Sequence, residues 1–203
     1  AINKLTSLGF EVVNNHYDKD ELGTALKDFD ILVIRSATKV TADILDKAQG
    51  GKLKLIIRAG VGIDNIDVPY ATQKGIVVKN TPNSSSESVA ELAIGHMFAL
   101  ARFIAISNCT MRDGQWNKKQ YEGIELGGKT LGIVGMGRIG KALAKKAEAL
   151  GMKVVYNDMF GKQAELSYEF LQLDELLRTS DFISLHVPYD KENGSLIRKE
   201  ELE

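Results

Sequence analysis

One stretch constrains the fold of this chain more than any other: Thr130-Leu131-Gly132-Ile133-Val134-Gly135-Met136-Gly137-Arg138-Ile139-Gly140. An apolar strand runs into a Gly-x-Gly-x-x-Gly turn and on into a helix. The helix carries Ile139, Leu143, Ala147 and Leu150 down one face, with Gly151 as its stop. A second strand, Lys153 to Asn157, follows and ends at Asp158. A helix N-terminus presents unpaired N–H groups and a partial positive charge, which suits a diphosphate. Each glycine has its own reason: Gly135 permits the tight turn, Gly137 lets backbone approach phosphates, and Gly140 lets the helix pack closely on the strand. Asp158 lies 18 residues past Gly140, near the roughly 20 expected of an acid that binds ribose hydroxyls. The alternative is an ordinary glycine-rich turn with a helix-packing glycine. Against it, strand, spacing, helix and acid all agree. A carboxylate at Asp158 repels a 2′-phosphate, so the pattern favours NAD over NADP, with Lys162 the nearby cation that would soften the preference.

The fold class expected is α/β, with two Rossmann-like or flavodoxin-like parallel-sheet domains, residues 1–80 and 81–203. Before residue 80, a helix through Ile2, Leu5 and Leu8 stops at Gly9, and Phe10 to Val13 reads as a strand. Asp30 to Ile34, Leu53 to Ile57 and Ile76 to Val78 read as further strands, with helices from Leu22 and from Thr41 to Ala48 between them. Near-continuous apolar strands separated by helices imply a parallel sheet covered on both faces. Ser84 and Glu87 have the spacing of a capping box before a long helix through Leu100, apolar around much of its girth and so expected to be buried between domains or subunits. Beyond Asp158, a helix over Leu173 to Leu177 precedes a third strand, Phe182 to Leu185, and a helix-like Arg198 to Leu202. The chain opens inside a helix, so a leading strand is expected before Ala1. Only the first half of a dinucleotide-binding domain is clear, so further chain is expected after Glu203.

Composition limits function by exclusion. The 203 residues carry a net charge of −1, which offers nothing to nucleic acid or to an anionic membrane. Cys109 is the single cysteine, which excludes an internal disulfide and a cysteine-based zinc site and fits a reducing, cytoplasmic setting. No apolar run is long enough to span a bilayer. His16, His96 and His186 show no metal-ligand spacing, so no metal is expected.

Arg35-Ser36-Ala37-Thr38-Lys39-Val40, Arg58-Ala59-Gly60-Val61-Gly62-Ile63-Asp64-Asn65-Ile66-Asp67, the glycine turn and His186-Val187-Pro188 together resemble the D-2-hydroxyacid dehydrogenases. The first run is most like the branch that acts on phosphoglycerate, a phosphorylated 2-hydroxy acid. The resemblance implies a substrate domain and an NAD domain with the active site in the cleft between them. It also implies oxidation of the 2-hydroxyl with hydride passing to NAD, entry into the serine pathway, and a homodimer built through the long helix and the Trp116 connector. It puts the catalytic arginine, glutamate and histidine beyond Glu203, so no catalytic residue is expected within this chain.

The candidate site residues follow. Arg35, Arg58 and Gly60 are expected at the substrate, because each arginine follows a parallel strand, where ligands of such sheets bind, and offers a fork matched to phosphate or carboxylate. The alternative is a pair of solvated strand-end arginines. Val61, Gly135, Gly137, Arg138, Ile139, Gly140, Asp158, His186, Val187 and Pro188 are expected at the cofactor, with Tyr156 and Met159 either bordering the adenosine or serving as core. Asn80 and Ser84 flank the domain crossing. Among the histidines, His96 is expected to be a satisfied core residue, and the resemblance puts His186 beside the cofactor and leaves the base to the segment beyond Glu203. Rival readings are a dehydrogenase for another D-2-hydroxy acid or glyoxylate, and a non-catalytic NADH-sensing protein on the same scaffold.

Overall fold

The computed structural model describes residues 2–188 and 194–201. The chain forms two compact units, Ala1–Ser84 and Ser85–Glu203.

Unit 1 contains α1 (Ile2–Ser7), α2 (Lys19–Ala25), β1 (Ile31–Ile34), α3 (Ala42–Lys47), β2 (Leu55–Arg58), α4 (Val68–Gln73) and β3 (Val77–Asn80). The strands are parallel in the order β1-β2-β3, and Ile34, Arg58 and Asn80 are aligned at the carboxyl edge. Val40, Ile44, Leu45, Ile56 and Ala71 are almost fully buried in the core between this sheet and its helices. Asp46 joins α3 to α4, accepting from Tyr70 Oη at 2.7 Å and pairing with Lys74 at 2.9 Å.

Two expectations fail in unit 1. Among the described residues nothing covers one face of the sheet: Ile31, Val33 and Val77 are 37%, 53% and 51% exposed. The strand order explains this. When each right-handed crossover moves to the next strand in one direction, every connecting helix lands on the same face. The second failure is Phe10 to Val13, which forms no strand; Phe10 and Val13 lie exposed instead. Its apolar pattern suits a strand, but a strand needs a neighbour to take its backbone hydrogen bonds, and the described sheet pairs none to it.

Unit 2 contains α5 (Ser86–Ala101), α6 (Ile104–Arg112), β4 (Thr130–Val134), α7 (Arg138–Ala149), β5 (Lys153–Asn157), β6 (Glu169–Phe170), α8 (Leu173–Thr179) and β7 (Phe182–Leu185). All its strands are parallel, in the order β6-β5-β4-β7. The order runs outward from β4 through β5 to β6, then reverses to β7. Reversal puts helices on opposite faces. Accordingly one core joins Leu131, Ile133, Val154 and Tyr156 with α5 and α7, and a second joins Val134 and Val155 with Leu176 of α8. The strand-end crevice at such a reversal is where open α/β sheets bind ligands. Here it lies between β4 and β7.

Other expectations change in detail. Ser84 caps nothing: the N-cap is Ser85, without a side-chain bond, and the Ser84 hydroxyl donates to the Thr81 carbonyl at 2.9 Å. α5 buries only Ala90, Met97 and Ala101, while Leu92 and Leu100 are 61% and 72% exposed. His96 is exposed, not a core histidine. α6 and the two-residue β6 were not expected. Residues 198–201 form no helix, with a bend at Lys199 and a turn at Glu200 and Glu201, and Leu202 lies outside the described residues. No single described helix is long and apolar enough to cross a membrane.

Candidate functional site

In unit 2 the site forms where β4 turns into α7. Gly135 has φ +96°, a conformation that side chains disfavour, and a Cβ there would lie 2.6 Å from the His186 carbonyl oxygen. Glycine is therefore required twice at this position. Gly140 is required by packing: a Cβ would strike the Gly135 carbonyl oxygen and lie 3.2 Å from Ile133 Cγ2. Gly137 differs. It is the N-cap of α7 with ordinary φ, and a Cβ there would meet nothing within 4 Å. The space it leaves is open to a ligand, and no side chain caps the first N–H groups of α7. Arg138 is exposed at this end and Ile139 is half-buried. Such an N-terminus, with free N–H groups and an open approach, fits a diphosphate.

Asp158 reaches the same turn. Its Oδ2 accepts the Met136 N–H at 2.8 Å, and its Oδ1 accepts the Phe160 N–H at 3.0 Å. Each carboxylate oxygen has a second lone pair for a sugar hydroxyl. Tyr156 is core, fully buried, with its hydroxyl accepting from the Gln163 N–H at 2.8 Å. Met159 is 87% exposed beside Asp158, free to border a nucleoside. On the other side of the crevice the His186 N–H donates to the Val134 carbonyl at 2.7 Å, which docks the end of β7 against the turn. The His186 ring lies 2.9 Å through Nε2 from Ser184 Oγ, and burial holds its imidazole below the usual histidine range. Val187 and Pro188 follow it, exposed, and Val187 Cγ1 would lie 2.8 Å from a Gly135 Cβ.

In unit 1 the sheet's carboxyl edge holds the other candidates. Arg58 aligns with Ile34, so Arg35 follows one residue past it on the neighbouring strand. The Arg58 guanidinium lies over Gly60, where any Cβ would collide with it, and its Nε is buried without a partner. Gly60 has φ +152°. The loop is tied down by the Thr81 N–H to the Gly60 carbonyl at 3.0 Å and by Asn80 Nδ2 to the Val61 carbonyl at 2.6 Å. Arg35 is exposed. Among the described residues no cluster could hold a metal ion.

Three residues escaped the sequence reading. Asn65 Nδ2 donates to the carbonyls of Arg35 at 3.1 Å and Thr38 at 2.6 Å, bracing the Arg35 loop. Ser184 partners His186, which strand alternation signals, since residues two apart share a face. Gln163 binds the glycine turn, and nothing in the sequence announces it.

Residues 94–203 match the model of the D-isomer specific 2-hydroxyacid dehydrogenase NAD binding domain. A hydroxypyruvate reductase of Thermotoga maritima is 50% identical over 192 residues, which are 95% of this chain and 62% of that protein. A D-3-phosphoglycerate dehydrogenase of Methanocaldococcus jannaschii is 45% identical over 206 residues, covering 100% of this chain and 39% of that one. The chain thus spans less than two-thirds of these relatives. A D-lactate dehydrogenase from Aquifex aeolicus, solved with NAD and lactic acid, superposes with a TM-score of 0.73 at 36% identity, covering 89% of this chain and 54% of that one. With the glycine turn, the carboxylate beside it and the reversal of strand order already in place, these likenesses put the chain in the D-isomer specific 2-hydroxyacid dehydrogenase family, with that family's NAD-binding domain.

Proposed function

We propose that the chain is part of an NAD-dependent dehydrogenase that oxidises D-3-phosphoglycerate to 3-phosphohydroxypyruvate, the first step toward serine. The observation that carries this reading is the pair of arginines at the ends of adjacent parallel strands, Arg35 and Arg58. A substrate with a phosphate and a carboxylate needs two cationic forks, and the planar guanidinium suits both. Arg35 takes the phosphate in this reading, and Arg58 with the Gly60 to Gly62 backbone takes the carboxylate. Unit 1 is then the substrate domain and unit 2 the cofactor domain. NAD, when bound, accepts the hydride. This chain's part is to seat its diphosphate on the N–H groups of Arg138 and Ile139 beyond the Gly137 opening and to meet the ribose with Asp158, whose charge disfavours a 2′-phosphate. His186 and the Val187-Pro188 segment border the same crevice. The oxidation also needs a proton acceptor; among this chain's histidines, His16 is 91% exposed beside Asp18 and His96 is exposed, and the role is assigned to none of them.

The exposed apolar side chains of α5 and α6, with Trp116 76% exposed beyond them, support a homodimer formed through this surface. The single cysteine supports a cytoplasmic setting. A second substrate reading, reduction of hydroxypyruvate, is favoured by the 50% identical relative. The test is turnover by the full-length protein with D-3-phosphoglycerate and NAD against hydroxypyruvate and NADH, in wild type and Arg35→Ala. Phosphoglycerate turnover whose KM rises at least tenfold in the variant is expected. An unchanged KM removes Arg35 from the site, and turnover of hydroxypyruvate alone selects the second reading.

A further inference from the structure

We infer that Gln163 is a positioning residue of the dinucleotide site: it orients the Met136–Gly137 peptide so that the Gly137 N–H faces the open side of the turn. The inference rests on reading that turn as the seat of the diphosphate. Two consecutive peptides make up Gly135-Met136-Gly137. Each is planar and trans, so its N–H points opposite its C=O. In the first peptide the Met136 N–H donates to Asp158 Oδ2 at 2.8 Å, and the Gly135 carbonyl on the other side lies against α7 at Gly140. In the second, the Met136 carbonyl accepts from Gln163 Nε2 at 3.2 Å. The Gly137 N–H must then point away from the loop that carries Gln163. That side is open, since a Cβ on Gly137 would meet nothing within 4 Å.

Gln163 is itself held. Its own N–H donates to the hydroxyl of Tyr156, a fully buried ring packed edge-on against Phe170 at 5.5 Å. Two residues on, Glu165 pairs with Lys141 of α7 at 3.1 Å. The loop is thus anchored to the core and to the helix it serves. Met136 is gripped at its N–H, its C=O and its buried side chain. Gly137, by contrast, has no side chain to resist rotation of the peptide before it. The Gln163 amide supplies that resistance without lying on the open side.

The test uses the full chain with Gln163→Met, which keeps length and removes the donor, and Gln163→Glu, which sets a carboxylate against the Met136 carbonyl. Calorimetry gives the Kd of ADP-ribose, which has a diphosphate, and of adenosine, which has none, and a thermal melt accompanies each variant. Loss of one neutral hydrogen bond predicts about 3- to 10-fold weaker ADP-ribose binding in Gln163→Met, and more in Gln163→Glu. Adenosine affinity and melting temperature should stay near wild type. ADP-ribose affinity within twofold of wild type in both variants overturns the inference, as does equal loss for the two ligands. Failure of the wild-type protein to bind ADP-ribose would overturn the underlying reading of the turn as well.

Discussion

The three glycines of the turn make separable demands, and substituting alanine at Gly140 and at Gly137 tests the separation. At Gly140 two effects compete. Alanine is a better helix former than glycine by about 0.8–1 kcal/mol. Its Cβ, however, would strike the Gly135 carbonyl oxygen and sit 3.2 Å from Ile133 Cγ2, closer than the 3.4 Å at which ordinary contact begins. The obstacle is backbone, which cannot swing aside, so α7 must move off β4 by roughly 1 Å, and the cost lies in the upper part of the overpacking range, about 2–3 kcal/mol. The clash wins, leaving a net loss of about 1–2 kcal/mol and a melting temperature several degrees lower. The shift also carries the N-terminus of α7 away from the proposed diphosphate position, so NADH affinity should fall with stability. At Gly137 nothing lies within 4 Å of the new Cβ, and replacing a glycine N-cap by alanine costs roughly 0.5–1 kcal/mol, because glycine caps better than alanine. The methyl instead fills the space proposed for the diphosphate. Gly137→Ala should therefore melt within a few degrees of wild type while losing at least tenfold in NADH affinity, read by fluorescence titration beside urea unfolding. If Gly140→Ala proves as stable as wild type, the close approach of α7 to β4 is refuted. If Gly137→Ala binds NADH normally, the ligand does not pass that position.

Burial at the end of β7 keeps His186 below its ordinary value of 6.5. The unfolded chain then binds a proton that the native state refuses, so stability is full above about pH 6.5 and declines as pH falls toward the lower native value. His186→Gln should flatten the urea midpoint across that interval, and an unchanged slope would count against burial as the cause. Asn65→Ala frees the Arg35 and Thr38 carbonyls but also removes its own buried, unpaired Oδ1, so the net cost should be near 1 kcal/mol. Cleavage at Lys39 by trypsin should quicken, and unchanged cleavage would show that the loop is braced elsewhere. Leu100, 72% exposed on α5, should tolerate aspartate without loss of fold, yet sedimentation should shift from the proposed dimer to monomer. Identical sedimentation of variant and wild type would remove this helix from the interface.

What could be read in advance was what the chain encodes locally. The run from Thr130 to Asp158 combines periodicity, glycine spacing and a terminal acid, and the structure follows it from β4 to β5. The elements that differ depend on distant groups. No glycine or proline marks a break after Ala101, yet Phe103 takes a left-handed φ of 55° and the helix axis bends by 61°. The Ile124 N–H accounts for this by donating to the Ala101 carbonyl at 2.9 Å, and the Phe103 ring stacks on Tyr121 at 5.7 Å. Phe10 to Val13 carries strand-like residues, but pairing is a property of two segments and not of one. Among candidate site residues the strand-end arginines and Asp158 announce themselves by position. Asn65 and Gln163 work through backbone carbonyls, which any residue offers, and so leave no pattern to find.

With one face of its sheet uncovered among the described residues, unit 1 lacks part of the driving force of unit 2, which has core on both faces of its sheet. An aliphatic side chain left half in water gives up about 1 kcal/mol. Ile31, Val33 and Val77 together leave roughly 2–4 kcal/mol unspent on that side. Amide protons along β1, β2 and β3 should therefore exchange with deuterium at a lower free-energy ceiling than those of β4 and β5. Denaturant titration of these 203 residues should likewise resolve into two steps, with unit 1 opening first.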